Sequence, residues 1–508
     1  MKTSVMAEPM LKAHLDSFPL AQYESAIIAL KTNSQDRTAK HQAVLSLARL
    51  GAVDFALEEY ERYGLGEVTD DEDIIALKGR LFKDLYIRSS YKAALARQSA
   101  DQYNLAFKNT AGFYSAINTA TMGYLAGDNN EIRHQLCRDI LKSLPLQTEL
   151  EAEQYYFVEA TRAEAYLLLG DDIRAERSLR RAFKFDPLNY TAQAATLRQF
   201  SLITQKQARP VTWLESFNAP ATLQFAGHIW SAETDVNAEA LRENISDLIQ
   251  RHDIGFAYGA LAAGADIIFA EACLEEGVAL YITLPLEVKD FETHCVAPFG
   301  KEWVSRFQHC LKKAAHVTYI AQTQGVLSND ENYLLAADIS MGQAILRAKD
   351  FGRPPHQFIL QDSKRPTSHT ANVSQTWLKT DFEQTLFPID LPHKAEGRRP
   401  SKTIELTLEL FSTEGTKKTI TIAGEKIVET ILNLSSEMEN GNLALALSPL
   451  KTALPNLTIK DSLFLTESLA ALFALECAPE DKLEYAGMTS GQDQNHKTHW
   501  YRVKATKL

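Results

Sequence analysis

Residues 254–285 read IGFAYGALAAGADIIFAEACLEEGVALYITLP, and the order strand, glycine turn, helix, strand is legible in that string. Gly255 to Tyr258 is a short strand of aromatic and small residues. Gly259 and Gly264 supply the backbone freedom that a tight turn needs where the chain approaches a ligand. Asp266 falls in the first turn of the following helix, where a carboxylate suits unpaired amides, and Gly277 closes that helix before the apolar run Val278 to Leu284. Strand, helix and parallel strand make one βαβ unit of a doubly wound α/β sheet.

In such a unit, ligands bind beyond the carboxyl ends of the strands, where helix N-termini offer free amides to anions. The turn around Ala262 to Ala265 is therefore the candidate cradle for a phosphate or ribose. Asp266 would repel a phosphate set directly on those amides, so its partners there would be ribose hydroxyls or a base amino group. Glu271 is the single acid in the apolar run Ile267 to Leu274, and it either reaches an edge or faces a cleft. The plainer reading of the same residues takes Asp266 as a helix cap and Glu271 as a solvated edge residue. Upstream, Thr222 to His228 starts the sheet and sets Gly227 and His228 at the carboxyl end of its first strand, on the ligand side.

The string from Gly259 to Pro285 resembles the signature of the SLOG superfamily, Rossmann-like domains in which a G-A-x-G-A-D-type turn binds nucleotide-derived ligands. Gly259, Gly264, Ala265 and Asp266 occupy the motif positions, and Glu271 matches an acid on the following helix. The phosphoribohydrolase branch carries P-G-G-x-G-T-x-x-E, whose glutamate stands closer to the last glycine than Glu271 does to Gly264. The resemblance thus implies sensing rather than turnover. With the end of the first strand included, the expected ligand-binding residues are Gly227, His228, Gly259, Gly264, Ala265, Asp266 and Glu271; no catalytic residue and no metal ligand is expected.

A chain of 508 residues has room for about three domains, each with its own core. Its formal net charge of −12 and pI near 5.6 disfavour a nucleic-acid backbone as partner. No apolar run approaches the roughly 18 residues that span a bilayer, and MKTSVMAEPMLKAHLDSFPL has no continuous signal-peptide core, so a cytoplasmic protein without a membrane partner is expected. The five cysteines, Cys137, Cys273, Cys295, Cys310 and Cys477, are scattered and lack CxxC spacing, which predicts neither a disulfide frame nor a zinc site.

Residues 1–208 are helical by period and rich in Ala, Leu and Tyr. Ala163, Tyr166, Gly170, Ala175, Leu179, Ala182 and Pro187 fall at the spacings of a tetratricopeptide repeat of about 34 residues, and Gly51, Ala56 and Tyr60 echo Gly170, Ala175 and Leu179. Thr69 and Glu72 have capping-box spacing at the acidic run Asp70 to Asp73. KGRLFKDL and GFYSAINTATMGYLAGD resemble the TRAFs-binding region of the apoptosis-signal-regulating MAP kinase kinase kinases, through Gly79, Arg80, Lys83, Asp84, Tyr114, Ile117, Asn118 and Gly127. That resemblance implies a regulatory scaffold of helical repeats. Stacked repeats leave a concave surface that binds a protein partner or serves as a rigid arm.

The α/β domain is expected over 209–360, with covering helices at 238–251, around Trp303, Phe307 and Leu311, and at 332–347, and with a strand at His316 to Ile320. Pro366, Pro388, Pro392 and Pro400 mark 361–402 as a linker, which includes the basic KAEGRRPSK. Residues 403–508 form a small α+β domain, with TIELTLELF and HWYRVKA as strands. This end resembles the last third of class III nucleotide cyclases, whose chemistry needs two metal-binding aspartates. TIELTLELFSTEG has no aspartate on its strand and no G-D hairpin follows, so the tail is expected to be a degenerate, inactive cyclase-like domain.

The expectation is a multidomain protein: an all-α tetratricopeptide-like array, an α/β Rossmann-like domain and a small α+β domain. Its role would be that of a signalling scaffold, more readily a sensor than an enzyme. No cofactor is expected beyond a nucleotide-derived ligand. The rival reading is hydrolysis of the N-glycosidic bond of NAD or a nucleoside monophosphate, with Glu271 stabilising an oxocarbenium-like centre.

Overall fold

Small residues at helix crossings make the N-terminal part a stack of antiparallel helices. The computed structural model describes residues 19–145, 152–187, 189–208, 211–319, 330–362, 364–365, 368–391, 405–412, 417–423, 444–448, 462–476, 483–490 and 497–503. Cys477, the segment MKTSVMAEPMLKAHLDSF and the basic KAEGRRPSK lie outside them. Helices α1 (Pro19–Thr32), α2 (Arg37–Arg49), α3 (Val53–Arg62), α4 (Glu72–Arg88) and α5 (Ala93–Thr110) are followed by α6 (Phe113–Ala126), α7 (Asn130–Ser143), α8 (Ala152–Leu168), α9 (Asp172–Phe185) and α10 (Tyr190–Gln207). Gly170 turns between α8 and α9 at φ +79°, and Ala163 and Ala175 are wholly buried between those helices, as the repeat spacing predicts.

The acidic run is wired differently from the expected capping box. Asp71, rather than Thr69, is the N-cap of α4, and its carboxylate accepts the amides of Asp73 at 3.0 Å and Ile74 at 3.2 Å. Glu72 instead reaches the N-terminus of α6 and accepts the Ser115 amide at 2.9 Å, where a helix dipole favours negative charge. The array also runs past residue 208, because Phe217 and Trp213 pack into the core of α8 to α10.

The α/β domain follows: β1 (Ala221–Gly227), α11 (Ala238–Arg251), β2 (Ile254–Gly259), α12 (Ala265–Glu275), β3 (Ala279–Leu284), α13 (Lys301–Lys313), β4 (His316–Tyr319), α14 (Asp330–Phe351), β5 (His356–Asp362), α15 (His369–Leu378) and β6 (Glu383–Ile389). The six strands run parallel in the order β4-β3-β2-β1-β5-β6. Chain order reverses between β1 and β5, which is the topological switch point of a Rossmann-like sheet. Helix α12 is apolar nearly all round because it is buried nearly all round, from Ala265 through Cys273. The opposite face of the sheet is covered by α14, whose Arg347 guanidinium lies 4.8 Å from the Phe256 ring centre and 4.7 Å from that of Tyr281.

The linker expected over 361–402 is corrected by α15 and β6, which complete this sheet. Pro388 misled the reading: β6 is an edge strand, where proline is tolerated. A ladder of side-chain amides pins it there. Gln384 Nε2 donates to Gln357 Oε1 at 2.6 Å, and Gln357 Nε2 donates to Gln224 Oε1 at 2.5 Å, so β6, β5 and β1 are cross-linked. Trp377 of α15 is fully buried and donates its indole N–H to the Glu383 carbonyl at 3.1 Å.

The array leans on α14, with Tyr190 edge-on to Phe256 and Arg198 donating to the Asp350 carbonyl at 3.1 Å. C-terminal to the α/β domain, β7 (Glu405–Ser412), β8 (Lys417–Ala423), β9 (Ala444–Ser448), β10 (Ser462–Thr466), β11 (Leu483–Ser490) and β12 (Lys497–Val503) form a sheet of order β11-β12-β10-β9-β7-β8, and α16 (Glu467–Glu476) packs against α14. Among the described residues, no helix is long and apolar enough to cross a membrane.

Candidate functional site

The residues expected around the glycine turn are brought together, but as a closed knot. Gly264 holds φ +101°, and a side chain there would meet the Trp230 ring at 2.8 Å and the His228 carbonyl at 3.0 Å. Ile229 and Gly264 form an antiparallel bridge, so the chain leaving β1 lies directly on the turn. Three of the turn's amides have protein acceptors: Ala265 N–H donates to His228 O at 3.2 Å, Ala263 N–H to Cys295 O at 3.0 Å, and Ala262 N–H to Asp266 Oδ2 at 3.1 Å. Those three donors already face protein acceptors, which counts against the expected phosphate cradle at 262–265.

Asp266 is the centre of that knot. Its Oδ1 accepts the Gly227 amide at 3.2 Å while Oδ2 accepts that of Ala262, and the residue is 7% exposed. Burial raises its pKa to about 7, against the pull of two amide donors that favour the carboxylate. Both oxygens accept amides from outside α12, so Asp266 ties the turn to β1; Gly264 holds the N-cap position, and Asp266 does not cap its own helix as the plainer reading has it. Gly227 is glycine for closeness, since a Cβ there would lie 2.2 Å from that of Ala265. Gly259 is also chosen for size rather than for backbone freedom, because the Phe225 ring fills the place of its side chain.

Glu271 is held by a partner outside the turn. Its carboxylate is bidentate with Arg306 of α13, with Nε–Oε1 at 2.8 Å and Nη2–Oε2 at 2.6 Å. It ties two covering helices together, and the apolar run around it gave no sign of that partner.

The open chemistry lies at the switch point. His228 leaves the end of β1 only 7% exposed, with Nε2 buried and without a hydrogen-bond partner and Nδ1 3.5 Å from Thr370 Oγ1. Burial lowers its pKa to about 4, with the Arg365 charge acting in the same direction, so the imidazole is neutral at pH 7. Beside it, at the end of β5, Asp362 is fully buried and accepts the Lys364 amide at 2.9 Å, with Arg365 Nε 3.2 Å from its Oδ2. Burial works against ionisation of Asp362, but the amides of Lys364 and Leu391 and the Arg365 charge outweigh it and keep the pKa below the ordinary value. Ser368 caps α15 by accepting the Ala371 amide, which points the first turn of that helix at the same spot. Asp362, Arg365 and Thr370 were missed because their segment reads as a proline-marked linker; the buried Trp377 and the Ser368 cap were the signals available.

In the array, the positions quoted for the second resemblance also converge. Lys83 Nζ donates to Asn118 Oδ1 at 3.4 Å, Asn118 donates to the Tyr114 carbonyl at 3.0 Å, and Arg80 stands 3.7 Å from Asp84. Glu164 joins them from α8, accepting from Gln199 at 2.8 Å and from Thr121. Burial lowers the Lys83 pKa and raises that of Glu164, which draws the pair toward neutrality. Gly79 faces the Tyr103 ring, which meets Tyr114 edge-on.

Fold and site define a helical-repeat protein joined to a Rossmann-like parallel α/β domain. The family model described as Tetratricopeptide Repeats-Sensor matches residues 22–123, from α1 into α6. The repeat most legible in the sequence, Ala163 to Pro187, lies beyond that span. No curated protein matches the chain.

Proposed function

We propose that the chain is a sensor scaffold: the α/β domain binds a nucleotide-derived ligand at the β1/β5 switch point, and the helical array contacts a protein. The observation that carries this reading is the buried, unpartnered Nε2 of His228, set among Arg365, Thr370 and the first turn of α15. A buried imidazole nitrogen left unpaired costs about 1–3 kcal/mol, a cost that a ligand hydroxyl or amine donating to it removes. The similarity to a repeat-sensor family supports a signalling role, and helical repeats commonly bind peptides. The likenesses to SLOG and TRAFs-binding domains and the inactive cyclase-like tail belong to this proposal. The hydrolase reading loses its carboxylate, since Glu271 is occupied by Arg306.

The test heats the full-length protein with NAD, nucleotides, cyclic nucleotides and dinucleotides while assaying each mixture for breakdown. A ligand that binds only the folded state at a hundred times its Kd adds about 2.7 kcal/mol of stability. A shift without breakdown, lost in His228→Ala and Arg365→Met, supports the proposal. Breakdown products, or a shift that neither substitution changes, would sink it, and so would the absence of any shift across the panel.

A further inference from the structure

The opposite, amino-terminal edge of the parallel sheet carries a second cluster that the switch-point site does not use. His252 follows α11, His356 opens β5 and Glu383 opens β6, and one ligand atom from each lies within 4.8 Å of the other two. The two imidazole ring centres are 4.5 Å apart, and His356 Nδ1 stands 3.2 Å from Glu383 Oε2. Yet His356 Nδ1 makes no hydrogen bond, although the residue is only 8% exposed. Closeness without hydrogen-bond alignment is the geometry of lone pairs that converge on a shared point. Two donors about 2.0–2.1 Å from a tetrahedral ion stand about 3.3 Å from each other; His356 Nδ1 and Glu383 Oε2 stand at that spacing, and the His252 nitrogen lies within 4.8 Å of both.

We propose that His252, His356 and Glu383 bind one divalent transition-metal ion of the zinc class, with water in the fourth position. Two imidazoles and one carboxylate suit zinc and its neighbours better than magnesium or calcium, which select all-oxygen sites. The ion would clamp edge strand β6 to β5 and to the turn between α11 and β2.

The surroundings are built to hold that turn. Arg353 Nη2 donates to the His252 carbonyl at 2.9 Å, and its Nη1 donates to Asp253 Oδ2 at 2.8 Å and to the Ala219 carbonyl at 2.9 Å. Asp253 takes φ +52°, the left-handed conformation that a sharp exit from α11 requires. The Arg353 charge is thus balanced by Asp253, and the arginine fixes the backbone of a ligand instead of filling the site. Cysteine spacing gave no sign of the site, because its three ligands come from three separate elements.

The experiment uses the full-length protein, stripped with a chelator and titrated with zinc against a chromogenic indicator, then with cobalt(II) read by its visible absorption. The expected results are one zinc equivalent, a tetrahedral cobalt spectrum and a zinc-dependent rise in Tm. Glu383→Gln and His252→Ala change side chains that solvent reaches, so the fold survives, as circular dichroism will check. Each should weaken zinc by at least about 100-fold and abolish the cobalt spectrum. His309→Ala, on an exposed residue of α13, should change neither. No zinc equivalent in the native protein, or equal affinity in both ligand variants, overturns the proposal.

Discussion

Asp266 Oδ1 accepts the Gly227 amide at 3.2 Å, so the first turn of α12 is fastened to the carboxyl end of β1 by a nearly buried carboxylate. Its folded pKa, raised by burial to about 7 from 3.8, makes the bond pH-sensitive. Between those values the folded state holds a proton that the unfolded chain has released, so this residue's contribution falls as pH rises through the window. Asp266→Asn should remove that slope and, with one amide donor left facing an NH₂ group, cost about 1–3 kcal/mol. Denaturant midpoints at intervals from pH 4 to 8 measure both effects.

His228 acts in the opposite sense. Its folded pKa is lowered to about 4 from 6.5, chiefly by burial, so between those values the unfolded chain binds the extra proton and stability rises with pH. The two slopes oppose each other over nearly the same range, so the contributions of these two residues largely offset one another there. Relative to the native profile, His228→Asn should tilt stability downward from pH 4 to 7, whereas Asp266→Asn should tilt it upward over the same range. Identical profiles for the two variants would falsify the coupling.

Gly264 is held at φ +101° beneath Trp230, where a Cβ meets ring atoms at 2.8 Å. Gly264→Ala should cost on the order of 2–4 kcal/mol, from backbone strain and displacement of the indole together. Gly277→Ala, at φ +75° with nothing within 4 Å, isolates the backbone part and should cost only about 1 kcal/mol. Thermal melts of the two variants separate steric from conformational cost; equal losses would remove Trp230 from the account.

The string 254–285 was readable because its period, its glycines and its one early acid each answer to local rules, and β2, α12 and β3 fall where those rules put them. What failed was everything decided by a distant partner. Glu271 found Arg306, Glu72 found Ser115, and the turn amides were claimed by His228 and Cys295. The α15–β6 segment was hidden by prolines whose effect depends on whether a strand is central or at an edge, which is a property of the sheet and not of the segment. Three of the five switch-point residues went with it: Gly227 and His228 follow from β1 alone, whereas Asp362, Arg365 and Thr370 need β5 to be placed beside it.

The pairing of Glu271 with Arg306 predicts a structural role that a double-mutant cycle can isolate. Both groups keep some solvent contact, at 15% and 30% side-chain exposure, so the coupling should be about 1 kcal/mol rather than the several expected of a sealed pair. Glu271→Gln, Arg306→Met and the double variant should all retain any ligand-induced thermal shift. Loss of that shift in Glu271→Gln alone would return the residue to the binding site.

Gly342 of α14 and Ala471 of α16 bring two helix backbones into contact: a Cβ on Gly342 would lie 2.0 Å from the Ala471 carbonyl oxygen and 2.3 Å from its carbon. The obstacle is backbone, which cannot turn aside as a side chain can. In an isolated helix, glycine to alanine stabilises by about 1 kcal/mol, so the sign of Gly342→Ala decides between propensity and contact. Crowding in a packed interface costs about 1–3 kcal/mol and should win. The variant should then lift α16 from α14, exposing Leu469, Ala470, Ala471, Phe473 and Ala474, which are buried in the native protein. Faster limited proteolysis after residue 391, with the melting of the parallel-sheet domain little changed, is the expected result. A more stable variant with unchanged proteolysis would mean that the two helices are not held together by this contact.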